Sequence, residues 1–249
     1  MKKKLWIASL FSLCLFVACG GDDNKIPTGT GGGEEDGGGT DKPAAVEKPR
    51  YVWIDAAGNF ERYANSIDNI KEDLKRVKET GFTDIVVDVR PTTGDVLFKS
   101  SVGEPLKRID IWSNEGYKWM ERTATWDYLQ TFLNEGRKLG LKVNASINTF
   151  VGGYLCPYGL GYEGMLYRDA SKKKWATVIN ATGGQVNTMD LQNCEADWGV
   201  KFLNPANNEV QEYLLSLLSD LAKYKPDGII LDRCRYDDYG LMSDFSPES

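Results

Sequence analysis

Between residues 51 and 232, short β-branched runs alternate with longer stretches in which apolar residues recur every third or fourth position. Tyr51–Ala56, Asp84–Arg90, Lys142–Thr149 and Ile229–Asp232 have the length and residue types of strands. Ser66–Thr80 carries Ile67, Ile70, Leu74 and Val77 at helical spacing and stops at Gly81. A second helical pattern starts near Thr125 and places Leu129, Phe132, Leu133 and Leu139 on one side before Gly140. A third runs from about Asn208 to Tyr224 with Val210, Leu214, Leu217, Leu218 and Leu221 inward. Strand–helix alternation of this length predicts βαβ units and a parallel sheet, an α/β fold. Within the long segment after the third strand, Lys174–Asn180 and Gln185–Leu191 flank Ala-Thr-Gly-Gly and predict a hairpin.

Side-chain parity refines the fold class. In a (β/α)8 barrel of the TIM type, alternate strand residues face the helix layer and the barrel axis. Val52, Ile54, Ile85, Val87, Val89, Val143, Ala145, Ile147, Ile229 and Leu231 suit the helix layer. That leaves Trp53 and Asp55, Val86, Asp88 and Arg90, Asn144, Ser146 and Asn148, and Ile230 and Asp232 on the axial side. Four strands thus aim polar groups at one interior, mostly toward their C-terminal ends, where barrel sites lie. Buried charge is costly unless paired, so Asp55, Asp88, Arg90 and Asp232 are expected to pair with one another or to meet a ligand.

The first fifty residues have a different character. Lys2–Lys4 precede an apolar run from Leu5 to Ala18, shorter than the roughly 20 residues a bilayer span needs. The run ends in Phe-Val-Ala-Cys, which resembles the lipobox of bacterial lipoproteins, with Phe16 where Leu is usual and Cys19 the residue that would be acylated. Residues 1–18 are therefore expected to be a signal peptide. Gly20-Gly21-Asp22-Asp23 resembles the acidic signals that send such lipoproteins to the outer surface, implying an outer-membrane, cell-surface location. Residues 19–49, rich in Gly and Asp, cannot bury a core and are expected to be a flexible tether. About 30 such residues reach roughly 30 Å at about 5–6 Å × √n.

Composition narrows the chemistry. Removing Lys2–Lys4 with the leader takes the formal charge from −6 to −9, which disfavours nucleic acid as a partner. With no histidine in the chain, zinc sites and Ser-His-Asp triads are disfavoured, so neither metal nor cofactor is expected. Acid–base work falls to carboxylates, Tyr, Lys or Cys. Three cysteines follow the anchor: Cys156, Cys194 and Cys234. One disulfide with one free thiol, or three thiols, are both compatible with an oxidising compartment, and the shared loop makes Cys156–Cys194 the expected pair.

Four blocks, in order, carry a family resemblance. Gly81–Asp84 through Asp88-Val89-Arg90-Pro91 to Gly94-Asp95 and Phe98-Lys99-Ser100 resembles the second-strand block of the glycosyl hydrolase-like ten family. Gly140–Asn148 resembles its third strand, with Asn148 on a characteristic Asn. Phe202-Leu203-Asn204-Pro205 with Glu209-Val210 resembles the entry to its next helix, and Asp227-Gly228-Ile229-Ile230-Leu231-Asp232 the end of its fourth strand. Arg233 stands where the family often has a second Asp, and Asn144 where a His is common. Asp232-x-x-Arg235-Tyr236 instead resembles a form seen in related glycosidase-like barrels. The resemblance spans residues 50 to about 240, four βα units of an eight-unit barrel, and residues 50–249 are expected to be the N-terminal half of such a barrel, a truncated chain.

The resemblance implies a lipid-anchored glycoside hydrolase-like protein acting on an oligo- or polysaccharide, with Asp232 as nucleophile. Trp53, Asp55, Asp88, Arg90, Asn148, Arg235 and Tyr236 would line the substrate site. Hydrolysis needs a second carboxyl group, about 5–5.5 Å away for retention or 6.5–9.5 Å for inversion, expected here from a later strand. Aromatics after the second strand (Trp112, Tyr117, Trp119) and third strand (Tyr154, Tyr158, Tyr162, Tyr167, Trp175, Trp198) suit stacking on sugar rings or packing of the loops themselves. A non-catalytic glycan-binding lipoprotein is the alternative.

Overall fold

A computed structural model describes residues 48–114, 116–156, 160–181, 183–191 and 200–235. Its centre is a four-stranded sheet, every pairing parallel, made of Tyr51–Ile54 (β1), Asp84–Arg90 (β2), Lys142–Asn148 (β5) and Gly228–Asp232 (β11) side by side in that order. The principal helices are α1 (Ala56–Tyr63), α2 (Ile67–Glu79), α3 (Tyr128–Lys138) and α5 (Asn208–Ala222). The described sheet is open: it has two edges, β1 and β11.

Local chemistry explains the helix starts. Ser66 accepts a hydrogen bond from Asn69 N, Asp127 from Gln130 N, and Asn207 from Glu209 N and Val210 N, each satisfying a donor the helix itself leaves unpaired. One face of the sheet meets the helices. Ile85, Val87 and Val89 of β2 and Val143, Ala145 and Ile147 of β5 share a core with Phe60, Ile70, Leu74, Leu129, Phe132, Leu133 and Leu217. Each large side chain so buried contributes roughly 1.5–3 kcal/mol. Val86, although buried, lies outside that cluster, as the alternation requires.

Three features differ from the sequence expectation. The first is α1, which follows β1 directly and turns Asp55 into a helix cap. The second is the segment after β2, where β3 (Arg108–Ser113) and β4 (Gly116–Glu121) form an antiparallel hairpin. The third concerns β11: Ile229 and Leu231 pair with Ala145 and Ile147 and so share the helix-side face, yet they are 38% and 45% exposed. β11 is an edge strand, and its helix-side apolar residues are only partly covered.

The segment after β5 builds a second small sheet from β6 (Val151–Cys156), β7 (Gly161–Glu163) and β10 (Lys201–Phe202). The short α4 (Met165–Arg168) follows β7. β8 (Val178–Ala181) and β9 (Gly184–Asn187) form the expected hairpin. Gly164 is the point where this segment crosses the loop after β2. Its φ is +122°, and an added Cβ would lie 2.3 Å from Gly153 Cα and 2.9 Å from Thr93 O. Both conformation and space therefore require glycine. Gly164→Ala is expected to cost roughly 2–5 kcal/mol in a chemical-denaturation midpoint analysis; a change below about 1 kcal/mol would contradict the close crossing.

Candidate functional site

The C-terminal ends of β2, β5 and β11 gather four of the expected side chains. Asp88 is 3% exposed. It accepts from Arg90 N at 3.2 Å, and Asn148 Nδ2 approaches it at 3.4 Å. Asn148 Nδ2 also donates to Arg90 O at 3.1 Å, tying β5 to β2. Asp232 is the Cα partner of Asn148 on the far side of β5, and its backbone carbonyl accepts from Thr149 N at 2.7 Å. Its carboxylate is half-buried and accepts from Arg233 N at 2.7 Å; Arg233 takes a positive φ of 45° to make that turn.

Burial pushes the Asp88 carboxyl up to about 7, helped by the negative charge of Asp55 and, more weakly, of Asp232; hydrogen bonds from Arg90 N and Ala56 N act the other way. Next to it, on β5, is Ser146, whose Oγ is buried without a hydrogen-bond partner. The Tyr128 hydroxyl is likewise buried and unpartnered, and burial together with the nearby Asp88 charge raises its pKa. This polar cluster is tight around Asp88 and opens toward Asp232.

For two of the expected residues the structure shows partners other than the expected charge pairing. Asp55 is exposed and caps α1, accepting from Gly58 N at 2.6 Å; it stands one residue past the end of β1, where strand alternation no longer governs its direction. Arg90 is fully buried, but its guanidinium donates to the carbonyls of Asn148 and Thr149 and lies 3.7 Å from Met165 Sδ, so it fastens the end of β5 and forms no ion pair with Asp88 or Asp232. The β2–β5 register slips between Asp88 and Arg90, which carries Arg90 away from the simple alternation.

Of the other expected residues, Trp53 stands on β1 beside Val86, 47% exposed. Arg235 is exposed, its guanidinium 5.7 Å over the Phe202 ring. Tyr236, Cys19 and Cys194 lie outside the described residues, as does the Cys156 side chain; Cys234 is an exposed thiol. Among the described residues no group of His, Cys, Asp or Glu is placed to hold a metal, and no helix is long and apolar enough to cross a membrane.

A second polar centre escaped the sequence reading. Glu163 of β7, buried, accepts from Arg108 at 3.0 and 2.8 Å and also from Arg168, which in turn pairs with buried Asp95. Together they floor a cleft of about 500 Å³. Asp95 falls in the Gly94-Asp95 stretch of the family-like block, the one local signal. The Arg108–Glu163 and Asp95–Arg168 pairs join residues 55 and 73 positions apart along the chain and carry no short-range pattern.

No family model matches the chain. An S-layer-related protein of Niallia circulans is 31% identical over 206 residues, covering 80% of this chain, which spans only 12% of that protein's length. Among solved structures, a hypothetical protein from Ruminiclostridium thermocellum has 14% identity and a TM-score of 0.46 over 79% of this chain and 81% of that one. An α-L-fucosidase from Paenibacillus thiaminolyticus has 16% identity and a TM-score of 0.48 over 75% and 23%. An α-amylase from Lactobacillus plantarum has 20% identity and a TM-score of 0.45 over 74% and 38%.

Proposed function

We propose that this chain is a lipid-anchored, glycoside hydrolase-like protein that engages a glycan at the C-terminal ends of its parallel strands, with Asp232 as the reacting carboxylate. The observation that supports this most directly is the placement of Asp232: a half-buried carboxylate at the end of an edge strand, beside Asn148, on a sheet whose polar residues share one face. A carboxylate there can attack an anomeric carbon or activate water, and needs neither metal nor histidine. Asn148, the register partner of Asp232, is tied to Asp88, and Arg90 holds the end of β5. Incubating the protein with a panel of neutral oligosaccharides and resolving the products tests the reading. Shortened products that disappear with Asp232→Asn support it; cleavage that persists in that variant refutes the assignment.

Binding without cleavage is the second reading, and a specific observation favours it. Asp55 is used as a helix cap and Asp88 is enclosed, so neither is placed as the second carboxyl. The anchor is a separate element of the proposal, resting on the lipobox-like stretch before Cys19. Cys19→Ala is expected to move the protein from the membrane fraction to the soluble fraction, as read by fractionation and immunoblotting. Unaltered membrane association would reject acylation at that residue.

A further inference from the structure

The register of the β3–β4 hairpin separates its side chains into two faces. Ile109 and Ile111 point into the core, and Met120, the partner of Ile109, packs against it. On the opposite face the cross-strand pairs are Arg108 with Glu121, Asp110 with Trp119, and Trp112 with Tyr117. This second face begins at the 500 Å³ cleft, which Arg108 and Glu121 help to line. It is held in place: Arg108 is fixed by Glu163, the Trp119 ring lies 4.2 Å beneath the Arg108 guanidinium, and Asp110 accepts from the Tyr154 hydroxyl. It ends at Trp112, which is 65% exposed and has the Tyr117 ring edge-on at 5.1 Å. Other indoles are engaged elsewhere: Trp126 stacks with Tyr128, and Trp175 packs against Tyr213 and donates to Glu209. Among the described residues Trp112 is the most exposed large aromatic, ahead of Tyr162 at 54% and Trp53 at 47%.

We infer that this hairpin face and the cleft form one extended binding strip for an uncharged glycan chain, with Trp112 and Tyr117 stacking a sugar ring remote from Asp232. The inference deepens the proposed function and rests on it. From Arg108 to Trp112 the ribbon runs about 14 Å at about 3.4 Å per residue, longer than a single pyranose, so a polymer and not a monosaccharide fits it. Aromatic rings supply the flat apolar surface, while the locked Arg–Glu–Arg–Asp network supplies oriented donors and acceptors for hydroxyl groups. Five carboxylates and four cations line the cleft. That near balance, on a chain of formal charge −6, disfavours a polyanion and leaves an uncharged chain as the fitting ligand.

The experiment is calorimetric titration of the 249-residue protein with cellohexaose, xylohexaose, maltohexaose and chitohexaose, the corresponding disaccharides, and heparin. At least one hexaose is expected to bind about tenfold or more tightly than its disaccharide, and Trp112→Ala to remove about tenfold of that hexaose affinity while disaccharide binding stays level. Trp112→Phe should restore most of it, since a phenyl ring still stacks, and Tyr117→Ala gives an independent reading should Trp112→Ala misfold. Hexaose binding that neither Trp112→Ala nor Tyr117→Ala weakens overturns the strip while leaving a glycan site intact. Heparin binding more tightly than every neutral chain overturns the uncharged ligand. Binding of no glycan at all removes the proposed function itself, and the strip with it.

Discussion

Asp232→Asn is expected to lower glycoside cleavage by roughly a thousandfold or more while leaving glycan binding within about threefold of the parent. Asparagine keeps the shape and can still accept from Arg233 N, so the turn at the end of β11 persists. What disappears is the negative charge that would attack the anomeric carbon or deprotonate water. The separation of kcat from binding is therefore the signature to measure, by product release on one side and calorimetry on the other. Cleavage also requires a second carboxyl group at about 5–9.5 Å. Asp55 and Asp88 are committed to other partners, so turnover is expected in a form that brings a further carboxylate to the edge of β11, and binding without turnover where none is supplied. Equal loss of binding and cleavage in Asp232→Asn would mark the residue as structural.

The strand ends were legible in the sequence because alternation is a local rule. The apolar sets Ile85, Val87, Val89 and Val143, Ala145, Ile147 read directly as the helix-side face, and the structure buries all six in one core. The rule failed where the strand stopped or slipped. Asp55 stands beyond the end of β1, and α1 takes its side chain as a cap; the short apolar pattern of Ala56, Phe60 and Tyr63 had been the available sign of that helix. At Arg90 the register shift between Asp88 and Arg90 redirects a side chain that parity alone sends to the axis. Glu163, Arg168, Arg108 and Asp95 form their network across loops far apart in sequence. Such contacts are made by the crossing at Gly164, a tertiary event with only a glycine to announce it. Trp112 and Tyr117 were visible as aromatics, but their shared face appears only once the hairpin register is known.

The stability of the described body is expected to fall as pH rises from about 4 to 7, with Asp88 as a principal cause. Its pKa in the folded chain is raised from the ordinary value of 3.8 to about 7, so between those values the native state holds a proton that the unfolded state has lost. Stability contributed by this group is complete below the unfolded value and declines as pH climbs through the folded one. The full difference corresponds to about 4 kcal/mol at 1.36 kcal/mol per unit. Burial dominates, and the charges facing the carboxyl reinforce it: Asp55 from the start of α1, Asp232 from β11. The Tyr128 hydroxyl on α3 stays protonated throughout this range, because its own pKa is raised by burial and by Asp88. Asp88→Asn removes the titrating group but keeps an oxygen to accept from Arg90 N; its amide meets the donor of Asn148, a loss of about 1 kcal/mol relative to the parent with Asp88 protonated. Denaturation midpoints measured at pH 4.5 and pH 8 should therefore show the parent losing several times more stability than the variant between the two conditions. At pH 8 the variant should be the more stable protein, since a buried carboxylate has been replaced by a neutral amide of the same size. A parent and variant with parallel pH profiles would show that Asp88 is ionised and satisfied in the folded chain, and that the enclosure described around it is looser than its hydrogen bonds imply.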